Sequence, residues 1–249
     1  MVLSNDTSCG ACFAQLTPLE KTVLDVETYL NSRAVKDINP ASGEDIKVMG
    51  VREDDEVSLT ISCAFISRYL DGPRDYAEAK VQLATLARDR ARAVAGTAVD
   101  VTVNAADDPN GDAIFMTVTG TSAEAGDDGE TGRGNRSSGL ITPFRPMTLE
   151  AVAGKNPVTH IGKLYNVAAQ LLAEAVVGDF TEVREAECFL VNRIGSPINR
   201  PTTVLVRVRT EDGAIAPQTL QQLQDVAAQQ VAGIRDLSTG FVNGRYRIA

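Results

Sequence analysis

Apolar residues recur along this chain with two periods, and the period changes where proline, glycine or charge interrupts it. Thr17-Pro18-Leu19-Glu20 places a hydroxyl at a helix cap, a proline at the first helical position and a carboxylate at the third. Val23, Leu24 and Leu30 follow at helical spacing, which predicts a helix over residues 18–32. Val57, Leu59, Ile61, Cys63 and Phe65 alternate with smaller or polar residues, the period of a strand with one face in a core. Residues 76–94 return to helical spacing. Val99, Val101 and Val103 predict a strand, Asp107-Asp108-Pro109-Asn110-Gly111 a turn, and residues 114–119 a strand that pairs back as a hairpin.

The pattern then lapses. Residues 120–139 hold six glycines, several charges and almost no large apolar side chain, which predicts a long loop or a glycine-rich hairpin. Periodicity resumes with a helix over 163–177, strands over 187–192 and 204–209, a helix over 218–232 and a terminal strand over 241–248. Helices and antiparallel strands on both sides of the loop imply an α+β fold of two similar units, each a mixed or antiparallel sheet backed by helices. The expected division is a first unit over 1–120, a glycine-rich phosphate-binding region over 121–159, and a carboxy-terminal unit over 160–249 that shares strands with the preceding region.

Composition narrows the partners. Twenty-four Lys and Arg against 33 Asp and Glu leave a net charge of -9, which advertises neither a nucleic acid nor an anionic membrane. An anionic ligand would therefore need a local cationic site. The longest apolar stretches are strand-sized and the first five residues carry no targeting pattern, so a cytoplasmic location is expected. Cys9 and Cys12 form a C-x-x-C pair, but a zinc site would want a second pair of ligands, and the chain has one histidine. The four cysteines read better as small buried thiols.

Two segments concentrate candidate chemistry. Gly126-Asp127-Asp128-Gly129-Glu130-Thr131-Gly132-Arg133-Gly134-Asn135-Arg136 joins open backbone to two arginines. It matches neither a P-loop nor a dinucleotide fingerprint, yet amides and guanidinium forks both suit phosphate oxygens. A glycine-rich structural loop remains the alternative. Ala153-Gly154-Lys155-Asn156-Pro157-Val158-Thr159-His160-Ile161-Gly162-Lys163 puts two lysines and the only histidine at a helix start, where an anion is favoured.

These words, with Gly139-Leu140-Ile141-Thr142-Pro143, Arg145-Pro146-Met147, Asn5-Asp6-Thr7-Ser8, Gly43-Glu44-Asp45-Ile46-Lys47-Val48-Met49-Gly50 and Ile194-Gly195-Ser196-Pro197-Ile198, occur in an order that resembles archaeal-type methionine adenosyltransferases over nearly the whole chain. The resemblance implies two of the three α+β units of that family's fold. It also implies a reaction in which methionine sulfur attacks the ribose 5′-carbon of ATP and expels tripolyphosphate, which is then hydrolysed.

The roles implied by the resemblance are as follows. Lys47 and Lys155 contact phosphates and Arg133 and Arg136 clamp them, while Asp45 and Asp127 orient the ribose or the methionine ammonium. Asn156, His160 and Lys163 belong to the same phosphate-facing segment, and Asn5 and Asp6 lie toward methionine. The resemblance implies Mg2+, with K+ as a further candidate, beside ATP and L-methionine. The family's amino-terminal unit carries a Gly-His-Pro-Asp motif that this sequence does not contain. A homo- or hetero-oligomer with a polypeptide supplying that unit is therefore expected, without nucleic acid or membrane. An inactive ATP- or polyphosphate-binding homologue, or a nonfunctional fragment, is the competing expectation.

Overall fold

The computed structural model of the chain describes residues 1–108, 113–121, 136–142 and 144–246. Two compact units form, one from Met1–Gln15 with Glu130–Ala249 and the other from Leu16–Gly129. The boundaries expected at 120 and 159 run along the chain. The observed grouping instead joins the first fifteen residues to the last part, because their strand pairs with a strand nearly two hundred positions away.

In the Leu16–Gly129 unit, α1 (Pro18–Leu30) begins with the expected cap: the Thr17 side chain accepts from the Glu20 amide, and Glu20 answers the Thr17 amide. After the short α2 (Arg33–Ile38), β2 (Ser42–Glu53) and β3 (Glu56–Ile66) form an antiparallel pair that turns at Asp54 with φ 51°. Helix α3 (Pro73–Ala95) ends on Gly96 in the left-handed conformation and returns the chain to β4 (Val99–Val103), which pairs parallel with β3. Val57, Leu59, Ile61, Cys63 and Phe65 share one core with Val26 and Leu30 of α1 and Leu83, Ala87 and Ala91 of α3.

The hairpin expected between residues 99–103 and 114–119 does not form. β5 (Met116–Thr117) also pairs parallel with β3, at Phe65 and Ile66, whereas β4 pairs with residues 57–61. Asn104 lies between them in chain order with φ 45°, and its side chain accepts from the Cys63 amide at 2.8 Å and donates to the Cys63 carbonyl at 3.0 Å. A side-chain amide thus completes the ladder where β4 leaves it.

In the other unit, β1 (Ser8–Ala14), β6 (Val183–Asn192) and β7 (Thr203–Thr210) make an antiparallel sheet in the order β1-β6-β7. Helix α4 (Ile161–Asp179) lies on it so closely that a Cβ at Gly10 would come within 2.1 Å of the Tyr165 backbone. Leu164, Tyr165, Ala168 and Leu172 pack there with Cys12, Cys188 and Leu190, joined by Leu223 of α5 (Pro217–Ala232). Of the terminal strand expected over 241–248, the described residues 241–246 instead close a helix, α6 (Leu237–Val242), and form a turn after it, while 247 and 248 lie outside the described residues. Gly240 and Phe241 pack on the Tyr246 ring, so aromatic contacts override the alternation that suggested a strand. The described residues contain no helix long and apolar enough to cross a membrane.

Candidate functional site

Helix α4 begins at a histidine. His160 Nδ1 accepts the Gly162 amide at 3.1 Å, capping the helix, which leaves Nε2 as the protonated nitrogen, 3.5 Å from Asp6 Oδ2. Asp6 is held here because residues 2–5 run beside the turn at 195–198: the Ser4 amide donates to the Ser196 carbonyl at 2.8 Å, and the Asn5 amide to the Thr159 carbonyl at 3.3 Å. Asn156 spends its side-chain oxygen on the turn before the helix, accepting from the Val158 amide at 2.7 Å.

Beside this turn lies a carboxylate that the sequence did not single out. Glu150 Oε1 accepts from the Ser8 hydroxyl at 2.8 Å, and Oε2 lies 3.0 Å from the Lys155 ammonium, which also donates to the Ala151 carbonyl at 2.7 Å. Burial by itself would raise the Glu150 carboxyl. The hydrogen bonds from Lys155 and Ser8, with the nearby Lys155 and His160, outweigh it and hold Glu150 below the usual carboxylate range.

Lys163, on the first turn of α4, is buried with 4% of its surface exposed, and its ammonium stands 5.0 Å from the Phe241 ring centre. Among the described residues no carboxylate forms an ion pair with it. Burial, then the charge on Lys155, push its pKa below the ordinary lysine value. Arg136 is buried as well, and the next residue, Ser137, is tied to α4 by a hydrogen bond to the Asn166 carbonyl at 3.2 Å. Asn166 is a further hub missed by the sequence, accepting from the Ala11 amide and the Thr148 hydroxyl and donating to the Gly162 carbonyl.

Structure therefore gathers Asp6, Lys155, His160 and Lys163 around the start of α4, with Asn5 and Asn156 in the segments beside it. Arg133 and Asp127 lie outside the described residues. Asp45 and Lys47 belong to the other unit and pair with each other there. A register shift in β2 between Ser42 and Ile46 bulges the chain at Asp45, whose amide donates to the Gly120 carbonyl at 3.0 Å. Lys36 braces this bulge through the Gly43 carbonyl at 2.7 Å. Lys47 stays exposed at the edge of a 460 Å³ hollow with Thr60, Ser62 and Asp107.

Magnesium, implied by the family resemblance, finds no ready cage here. Among the described residues no group of three His, Cys, Asp or Glu side chains stands together. Glu150 is engaged by Ser8 and Lys155, and Asp6 by the Thr7 amide and His160.

Comparison with known proteins adds the family. A family model described as S-adenosylmethionine synthetase (AdoMet synthetase) matches residues 1–245. A probable S-adenosylmethionine synthase of Aquifex aeolicus is 47% identical over 247 residues, covering 99% of this chain and 61% of that protein. The S-adenosylmethionine synthase of Saccharolobus solfataricus is 45% identical over 244 residues, covering 98% of this chain and 60% of the relative. An S-adenosylmethionine synthetase from Campylobacter jejuni, described as unusual, shares the fold with a TM-score of 0.57 at 14% identity, over 95% of this chain and 62% of that one. The chain thus spans about 60% of the length of the relatives it matches.

Proposed function

The chain belongs to the S-adenosylmethionine synthetase family, and we propose that it supplies the phosphate-binding side of a site that makes S-adenosylmethionine from ATP and L-methionine. The observation that carries this reading is Lys163, an ammonium drawn into the interior without a carboxylate partner among the described residues, next to Lys155 at a helix start. An unpaired buried cation is costly, and a polyphosphate would relieve that cost.

In the proposed reaction a sulfur lone pair of methionine forms a C–S bond at the ribose 5′-carbon while the C–O bond to the triphosphate breaks. The thioether has no proton to lose, so no general base is needed, and catalysis rests on alignment and on stabilising charge that grows on the leaving triphosphate. Lys155, Lys163 and Arg136, joined by Arg133 and Lys47, suit that charge. Asp45 and Asp127 are assigned to the ribose or the methionine ammonium, and Asn5 and Asp6 to the methionine side. Cleavage of the released tripolyphosphate belongs to the same proposal. Magnesium and potassium enter it only as companions of the triphosphate.

The proposal includes a polypeptide bearing the Gly-His-Pro-Asp unit, in a cytoplasmic hetero- or homo-oligomer. Its test is to assay the purified 249-residue chain with ATP and methionine, alone and mixed with such a unit, following product and complex mass together. Product from the mixture and little from the chain alone is the expected result. A stable complex that binds tripolyphosphate but makes no product would favour a polyphosphate-binding homologue instead.

A further inference from the structure

Glu150 presents a puzzle to a site meant for polyanions, because it puts a negative charge directly on one of the cations. Its carboxylate is itself fixed from two sides. The Ser8 hydroxyl on β1 holds one oxygen at 2.8 Å, and the first turn of α4 abuts the group so closely that a Cβ at Gly162 would lie 2.9 Å from Glu150 Cδ. The second oxygen holds Lys155 at 3.0 Å, and the Lys155 ammonium donates another hydrogen bond to the Ala151 carbonyl at 2.7 Å. An ammonium has three donors, so two are engaged and one is left to an incoming oxygen, in a direction set by the other two. The Lys155 side chain is only 11% exposed, so water offers it little alternative solvation.

We propose that Glu150 is a positioning residue, which fixes the Lys155 ammonium so that its remaining N–H meets the departing triphosphate. This inference rests on the functional reading above. A free lysine side chain carries large rotamer entropy, and a donor already oriented where charge develops needs no reorganisation during reaction. The cost is electrostatic: Glu150 cancels part of the attraction that Lys155 exerts on any polyanion, bound as substrate or as product. Removing its charge should therefore strengthen anion binding while loosening the donor that the transition state uses. A carboxylate with only a folding role would not separate the two effects.

The test compares the parent chain with Glu150→Gln and Lys155→Ala. Glutamine keeps an acceptor for Ser8 but not the charge. By calorimetry on the full chain, E150Q is expected to bind tripolyphosphate about two- to fivefold more tightly than the parent, the range for one partly exposed charge pair. In the complemented enzyme its kcat should fall by about tenfold or more without a rise in KM for ATP, the sign of an interaction made in the transition state. A second readout needs no turnover: proton exchange at the Lys155 ammonium, followed by nitrogen-detected NMR, should quicken in E150Q. Weaker or unchanged tripolyphosphate binding by E150Q, or unchanged kcat and exchange, would overturn the role of Glu150. If the parent and K155A bind tripolyphosphate equally, the functional reading itself fails, and the inference falls with it.

Discussion

Lys80 and Lys163 are both lysines drawn out of water, one in each unit, and the fold treats them in opposite ways. The Lys80 ammonium lies 2.6 Å from Asp107 Oδ2 and 3.1 Å from the Asn104 carbonyl, while the Tyr76 hydroxyl donates to the same Asp107 oxygen at 2.8 Å. Every charge there has its opposite within reach, and burial, the largest cause, pushes Tyr76 up to about 12, so it stays protonated as a donor. Lys163 is more deeply buried yet has an aromatic ring and another ammonium for neighbours. The first arrangement is complete as it stands and reads as architecture. The second has no counter-charge among the described residues, which is the difference that the proposed anion site rests on.

The largest contrast should be chemical. Cys63 is buried under the Asn104 network with its thiol pushed up to about 11 by burial, whereas Cys9 is exposed beside Glu150. Iodoacetamide on the folded chain should label Cys9 and spare Cys63 by a factor of about a thousand or more, since Cys63 waits for unfolding. Peptide mass spectrometry reads this, and equal rates would dissolve the picture of a closed region and an open one.

Substituting the two lysines should next separate them in sign. Lys80→Met leaves Asp107 and Tyr76 without their cation and should destabilise the chain by about 2 kcal/mol in urea unfolding. Lys163→Met replaces a buried charge that has no carboxylate partner among the described residues with an apolar group, so stability should rise by about 1 kcal/mol. The same variant should lose about tenfold in tripolyphosphate affinity, the worth of a charge-assisted contact. Loss of stability in both variants would mean that Lys163 has a structural partner after all.

The smallest effect lies in the pH dependence of that gain. The folded pKa of Lys163 lies below its unfolded value near 10.5, so the folded state binds fewer protons and the charged form penalises folding. The penalty is whole below the folded pKa and is lost as pH rises through it toward 10.5. The stability advantage of K163M over the parent should therefore shrink across this alkaline window. A gap that stays constant in urea melts up to pH 10.5 would assign the gain to packing alone.

Several elements are legible in the residues themselves. Local rules suffice for α1, since a cap, a proline and a carboxylate in the first turn act within four positions, and for β3, whose alternating apolar run is its core face. Candidate site residues were legible too, because Lys155, His160 and Lys163 crowd a helix start that short-range pattern already marks. Strand β1 was not legible: Ser8-Cys9-Gly10-Ala11-Cys12-Phe13-Ala14 is mostly small residues, and it is a strand because Gly10 lets α4 approach and β6 supplies hydrogen bonds.

What the residue order by itself determined is the set of long helices, the core-facing strand and the charge placed at the start of α4, all of which follow from interactions within a few positions. Tertiary structure alone decided that β4 and β5 run parallel to β3 and that residues 241–242 end a helix, with a turn after it, rather than start a strand. It also decided that Glu150 meets Ser8 across 142 positions. The physical reason is common to these cases. Free energies of burial, pairing and hydrogen bonding depend on which groups meet in space, and for groups far apart in the chain only the packed fold fixes that meeting.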